Sequence, residues 1–357
     1  MSAGAPRKLR PIWLLLAAVP AAAIAHWAGA PDLAVFALSA IAILPLSALL
    51  GDATEHLAAR VGPVAGGVVN ASLGNLAELI IGVLALRAGM VDLVKASITG
   101  SILGNLLLVL GASQLAGGLR HRVQRFSRHL AGMNVSLLVV AVVGLVVPAL
   151  FHAAHPDPGQ RLTQKMSEFV AALLIVGYAL SLLYSMGTHR ALFAEGEEAE
   201  GAAGPAWTLR RTVGMLVGVS AALAWMSEML VGATQGAVAA AGLSEFFVGV
   251  VVVPIIGNAA EHSTAVLMAA RNRMDLALGI ALGSTVQVAL LVAPVLVFSG
   301  VLMGQRMDLA FSTFEVASVA LAVWIASVVV QDGESNWLEG SFLLIVYALL
   351  GVAFFFF

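Results

Sequence analysis

The chain has 357 residues, of which 60% are hydrophobic and only 11% charged, with a mean hydropathy of +0.98 and a net charge of -2. Soluble domains carry roughly a quarter charged residues, so this composition excludes an ordinary soluble domain and indicates a polytopic membrane protein. There is no cysteine, hence no disulfide and no thiolate metal site, and the near-neutral balance gives no sign of a nucleic-acid partner.

Apolar runs of about 20 residues cross a bilayer core. Such runs predict helices at 11–28, 32–57, 63–87, 92–118, 129–151, 166–190, 209–240, 244–270, 275–302, 309–331 and 338–357. The first, PRKLR followed by WLLLAAVP, could serve as a signal peptide with AIA or AGA as its cleavage site. An ordinary first span is the better reading, because the strong later spans need no cleaved signal. With the N-terminus in the cytoplasm, thirteen Lys and Arg lie inside, including Arg60, Arg120, Arg122, Arg125, Arg128, Arg271 and Arg273. Five lie outside: Arg87, Lys95, Arg161, Lys165 and Arg306. The bias supports both the orientation and the count, since one missed helix would scramble it. Between helices six and seven an inside loop holds the one acidic run, with Glu195, Glu197, Glu198 and Glu200. It reads as a solvated linker, or as a cytoplasmic segment that attracts divalent cations.

An internal repeat organises the chain. A shift of 183 residues lays 68–111 on 251–294 without a gap, and fifteen of the 44 pairs are identical. The polar identities carry the weight: Gly74-Asn75 matches Gly257-Asn258, Ala77-Glu78 matches Ala260-Glu261, Asp92 matches Asp275, and Gly100-Ser101 matches Gly283-Ser284. The expected organisation is a first helix (1–31), a five-helix repeat (32–190), an acidic linker (191–208) and a second five-helix repeat (209–357). An odd number of spans per repeat inverts the second relative to the first. The fold class is therefore an all-α polytopic membrane protein of eleven transmembrane helices, 1 + 5 + 5, with two inverted-topology repeats, the architecture of secondary transporters with a midplane site.

Asn75 and Glu78 are three residues apart, as are Asn258 and Glu261, so each pair shares a helix face. Gly74 and Gly257, with Pro254 upstream, should weaken the helix at the motif and free backbone carbonyls, tolerated at that depth only around a cavity or inside protein. Two carboxylates, two amide oxygens and such carbonyls form an all-oxygen metal site suited to a hard cation such as Ca2+. A carboxylate at midplane costs a few kcal/mol or more and needs a partner, and no Lys or Arg is placed to pair with Glu78 or Glu261. Without a metal the two glutamates should take protons; a bound divalent cation favours the charged pair. Metal and proton then compete at one site, which is the requirement for antiport, with about two protons per divalent ion. The plain alternative is hydrogen bonding between protonated acids and amides.

Further along the same helices, Ser101, Ser284, Asn105 and Gln287 could complete coordination, carry protons or simply pack. Glu55 in GDATEH and Glu228 in MSEML come from the first helix of each repeat and are candidates for a proton route. His262 follows Glu261 and His56 follows Glu55, but adjacent helix positions face different ways. Glu168, Glu245, Asp308 and Glu315 lie near helix ends and are expected at the membrane interface. No constellation for an enzyme is present beyond the cation site, and no resident cofactor is implied; Ca2+ and H+ would be cargo.

VVNASLGNLAELI at 68–80, GLSEFFVGVVVVPIIGNAAEH at 242–262, GSILGNLLLVLG at 100–111 and GDATEH at 51–56 resemble the cation/proton exchangers (CAX), the Ca2+/H+ antiporters of the Ca2+/cation exchanger superfamily. The resemblance runs from about 45 to 350. It implies an eleven-helix fold with a dispensable first helix, two inverted five-helix repeats and an acidic segment between them. It also implies that Glu78 and Glu261 bind Ca2+ or protons, with Asn75 and Asn258 beside them. Leu76 departs from the small residue that usually follows the Asn. The related Na+/Ca2+ exchangers carry hydroxyl-rich motifs, so Asn75 and Asn258 favour protons as the coupling ion. Mn2+, Cd2+ and K+ remain open as cargo, as does a homo-oligomer. The Ala- and Gly-rich composition suggests a prokaryotic plasma membrane.

Overall fold

Prolines, glycines and short polar caps decide where the apolar runs begin and end as helices. The computed structural model describes residues 11–61, 63–155, 161–189 and 207–356; the acidic run at Glu195, Glu197, Glu198 and Glu200 lies outside them. A 3-10 turn, Pro11–Ala17, leads into α1, Ala18–Trp27. Asp32 opens α2, Asp32–Val61, where the helix dipole favours an acid, and the helix continues through Pro45. Pro63 occupies the first position of α3, Pro63–Leu73, and α4, Leu76–Arg87, follows after two residues. Then come α5, Val91–Gly118, α6, Arg128–Ala154, and α7, Arg161–Thr188. The Thr208 hydroxyl accepts from the Arg211 N–H to start α8, Leu209–Ala241, and Gly242 ends it at φ +66. After α9, Glu245–Ala270, and α10, Met274–Met303, a capping box of Ser312 and Glu315 starts α11, Thr313–Val329, and α12 is Trp337–Phe356.

Among the described residues, eight helices are long and apolar enough to cross a membrane; α1 with its lead-in and α11 are shorter apolar helices. The helix at 63–87 is split at Gly74-Asn75, where Gly74 was expected to weaken it: Asn75 leaves helical geometry at φ -95, ψ 21. Its repeat mate departs from that expectation. Gly257 lies within regular helix, and the distortion falls upstream, in a π-turn at Val248–Val252 just before Pro254. Proline supplies no N–H and its ring clashes with the carbonyl four residues back, here Val250, so the ladder must shift. Two further π-turns interrupt α5 at Gly104–Val109 and α10 at Val288–Val292.

The core is built on α5. Of its most apolar window 83% is buried, against 17% for α7 and α12, which present their apolar faces outward. α5 packs against α9 and α12, while α2 lies along α8. The halves interleave: α2 packs on α9, and α8 packs on α4. One departure from all-helical structure is a two-residue antiparallel bridge, β1 (Gln124–Arg125) to β2 (Glu334–Ser335). Beside it the Ser127 N–H donates to Asp275 at 2.7 Å and Gln124 Nε2 donates to the Ala269 carbonyl at 2.8 Å, so three loops are tied together.

Asp308 and Glu315 are not exposed at an interface, as their sequence position suggested, but buried, at 6% and 3% exposure. The reason is Lys95, one turn into α5. Its ammonium lies 2.5 Å from Asp308 and donates to the Ala310 carbonyl at 3.0 Å. One turn further, the Thr99 hydroxyl donates to Glu315 at 3.0 Å. A charge in so apolar a chain is tolerated when it is paired.

Candidate cation site

Asn75, Glu78 and Asn258 are buried, at 1%, 9% and 3% exposure, and Glu261 is half-buried. The first two come from the start of α4 and the others from the middle of α9. Gly257 brings the halves into contact, since a Cβ there would sit 3.6 Å from Glu78 Cγ. The Asn258 amide engages the Glu78 carboxyl, the Ser284 hydroxyl engages that of Glu261, and the two glutamates lie within electrostatic reach of each other. One oxygen of each carboxyl, Glu78 Oε1 and Glu261 Oε2, is buried without a hydrogen bond, as is Asn75 Oδ1.

Buried polar atoms are rarely left unpartnered. Three such oxygens from two repeats, all acceptors, form the environment a hard cation satisfies. Among the described residues no three His, Cys, Asp or Glu side chains group to hold a metal. A cation here would therefore draw on amides, hydroxyls and backbone carbonyls as well as the two carboxylates.

All four residues named beyond the motif are in this network. Asn75 Nδ2 donates to Gln287 Oε1. Asn258 Nδ2 donates to Ser101 Oγ at 3.5 Å, and Asn105 Nδ2 donates to Ser284 Oγ at 3.2 Å. The π-turns of α5 and α10 begin at or next to Asn105 and Gln287, residues that are not repeat mates of each other. His262 turns from Glu261, its Nε2 lying 3.1 Å from Asn105 Oδ1. His56 packs against Trp207 with tilted rings, centroids 4.5 Å apart. Glu55 and Glu228 are both exposed. Leu76 packs into the apolar cluster of α2 and α8, facing away from the site.

Sequence reasoning missed Ser97. It lines, with Glu78, Ser101, Ile81 and Leu296, a cavity of about 20 Å3, room for roughly one water molecule. The signal was available, since Ser97, Ser101 and Asn105 recur every fourth residue along one face of α5.

A helical chain with long apolar spans and paired buried carboxyls contributed by two similar halves is an integral membrane protein built as ion exchangers are. The chain belongs to the sodium/calcium exchanger protein family, which matches residues 32–187 and again 211–356. It is 43% identical to a Ca(2+)/H(+) antiporter of Aphanothece halophytica, over 96% of this chain and 95% of that one. It is 38% identical to the Ca(2+)/H(+) antiporter ChaA of Bacillus subtilis, over 96% and 97%. The solved structure of native YfkE superposes with a TM-score of 0.84 at 34% identity, covering 98% of this chain and all of that one (100%).

Proposed function

We propose that this protein is a secondary active Ca2+/H+ antiporter that exports cytosolic Ca2+ in exchange for protons, with Glu78 and Glu261 as the shared site. The observation that carries this reading is the meeting of one buried glutamate from each half, each with an unpartnered oxygen and no cationic side chain between them. A divalent ion satisfies both carboxylates at once; without it, two protons do so. Asn75 and Asn258 contribute the amide oxygens. The antiporter relatives in Aphanothece and Bacillus, aligned over nearly the full chain, support Ca2+ and H+ as the exchanged pair.

The eleven-span, 1 + 5 + 5 arrangement with 32–190 and 209–357 as inverted repeats belongs to the same proposal. α3 and α4 together count as one span, and the two separate family matches fall on the two repeats. Alternating access draws support from an asymmetry between repeat-related crossings. A Cβ on Gly100 would overlap the Val250 carbonyl, so α5 and α9 touch backbone to backbone; a Cβ on Gly283, the repeat mate, would meet nothing within 4 Å. With the N-terminus in the cytoplasm, the tight crossing is external and the open one internal. Exchange of the two arrangements would carry the site from one face to the other. Glu55 and Glu228, on the helices that pack across the opposite motif helix, are the proposed proton route.

The test is Ca2+ uptake into inside-out vesicles under an acid-inside pH gradient, then under a Na+ gradient, with Glu261→Gln as control. Uptake driven by protons and lost in the variant is the expected result. Uptake that follows Na+ would reassign the coupling ion, and no Ca2+ movement under either would send the search to Mn2+, Cd2+ and K+.

A further inference from the structure

Asn105 belongs to neither motif and has no polar repeat mate, since its counterpart is Val288. It is nonetheless 1% exposed and makes two side-chain hydrogen bonds, one on each side of its amide. The Oδ1 side meets His262 Nε2 at 3.1 Å, and the Nδ2 side meets Ser284 Oγ at 3.2 Å.

The chemistry of these atoms gives the chain a direction. An amide oxygen only accepts, so His262 Nε2 must carry the hydrogen. An amide nitrogen only donates, so Ser284 Oγ is the acceptor there, and its own hydrogen is left for another partner. The acidic acceptor beside it is Glu261. We propose that Asn105 is a positioning residue: held by the His262 N–H, it turns the Ser284 hydroxyl hydrogen toward Glu261 and so orients the carboxyl group that receives the cation. A carboxamide is a poor proton carrier, so the chain His262–Asn105–Ser284–Glu261 sets polarity and conducts no proton. The π-turn at Gly104–Val109 brings Asn105 onto this line. Because Leu79 stands at the repeat position of His262, the first half contains no such chain, and Glu78 is served by Asn258 instead. The two glutamates are therefore loaded by different devices.

The inference rests on the antiporter reading, and the experiment keeps the two separable. Full-length protein is reconstituted in vesicles, and Ca2+ KM and maximal rate are measured at a fixed proton gradient, with wild type and Glu261→Gln as references. A hydrogen bond to a charged group is worth roughly tenfold or more in an equilibrium. Asn105→Leu should therefore raise the Ca2+ KM about tenfold while the maximal rate changes much less. Combining it with Ser284→Ala should add little to Ser284→Ala alone, because both cut the same chain. His262→Leu should reproduce the KM effect, and His262→Gln, which keeps a donor, should recover most of it. An unchanged KM in folded Asn105→Leu, additive penalties in the double variant, or equal loss in His262→Gln and His262→Leu would each overturn the proposal. If Asn105→Leu does not fold, the two His262 variants decide alone. Wild type that moves no Ca2+, or Glu261→Gln as active as wild type, would instead sink the antiporter reading.

Discussion

The two motif helices carry the same Gly-Asn-x-Ala-Glu and do not have the same backbone. In the first half the chain breaks between α3 and α4, and Asn75 becomes the residue before a new helix. In the second half Asn258 sits inside continuous helix, because the π-turn before Pro254 has already absorbed the irregularity. The residue in the place of Pro254 is Ala71, which forces no such shift. Glu78 thus lies in the first turn of a helix, where N–H groups point at an anion, whereas Glu261 lies mid-helix and relies on side chains. Equal residues at equal spacing can therefore meet from two unequal halves, with the neighbouring residues deciding how each half deforms.

If both halves are indispensable despite this difference, Glu78→Gln and Glu261→Gln should each lower proton-driven Ca2+ uptake by roughly a hundredfold, the upper range for losing a metal-site residue. Uptake surviving in one of them would mean that one half binds and the other only packs. The unequal crossings are tested by volume. Gly100→Leu has no room, so the described arrangement should be disfavoured; Gly283→Leu fits here and should block the reverse arrangement of the proposed cycle. Overpacking on this scale costs 1–3 kcal/mol, and both should slow uptake about tenfold. They should differ in labelling of a Thr264→Cys reporter, exposed in the described arrangement and internal in the proposed topology, with increased reactivity in Gly283→Leu and decreased reactivity in Gly100→Leu. The native chain has no cysteine to confuse that readout. Equal labelling would remove the crossings from the transport cycle.

Smaller effects separate two ion pairs of the described residues, Lys95–Asp308 and Arg125–Glu334. The Lys95–Asp308 pair is buried, with side chains 14% and 8% exposed, and Arg125–Glu334 is open, at 83% and 46%. Asp308→Asn should cost about 3 kcal/mol in thermal unfolding in detergent by leaving a buried cation half-paired, and Lys95→Met with Asp308→Leu should recover most of it. Arg125→Ala should shift the midpoint barely, since exposed pairs contribute little. A large loss in Arg125→Ala would mean that the β1–β2 bridge depends on its ion pair.

Much of this was legible in the sequence because membranes simplify the problem. Long apolar runs gave the spans to within a few residues, and a polar identity such as Gly74-Asn75 with Gly257-Asn258 stands out where polarity is costly. Second-tier residues were readable for the same reason: Ser101, Ser284, Asn105 and Gln287 all entered the network. What periodicity could not show was local backbone geometry. Gly74 and Pro254 marked where the helices would weaken, but not that one half would break at Asn75 while the other would take a π-turn before Pro254 and keep Gly257 in regular helix, which depends on how strain is shared along each helix. Nor did it show that Lys95 turns inward. Counted as an outside charge, it is consumed by Asp308, and only the pairing rule for buried charges could have flagged it.

The interleaving of α2 with α9 and of α8 with α4 bears on how the protein is made. When the ribosome has finished α7, α2 is in the bilayer but α8, its main neighbour, and α9 do not yet exist. The hydroxyls of Ser39, Ser47 and Thr54, buried in the finished protein, would face lipid or water until the second half arrives. The first half is thus inserted long before it is assembled. Two fragments divided within 191–208 should regain transport when synthesised together, and neither should be stable alone.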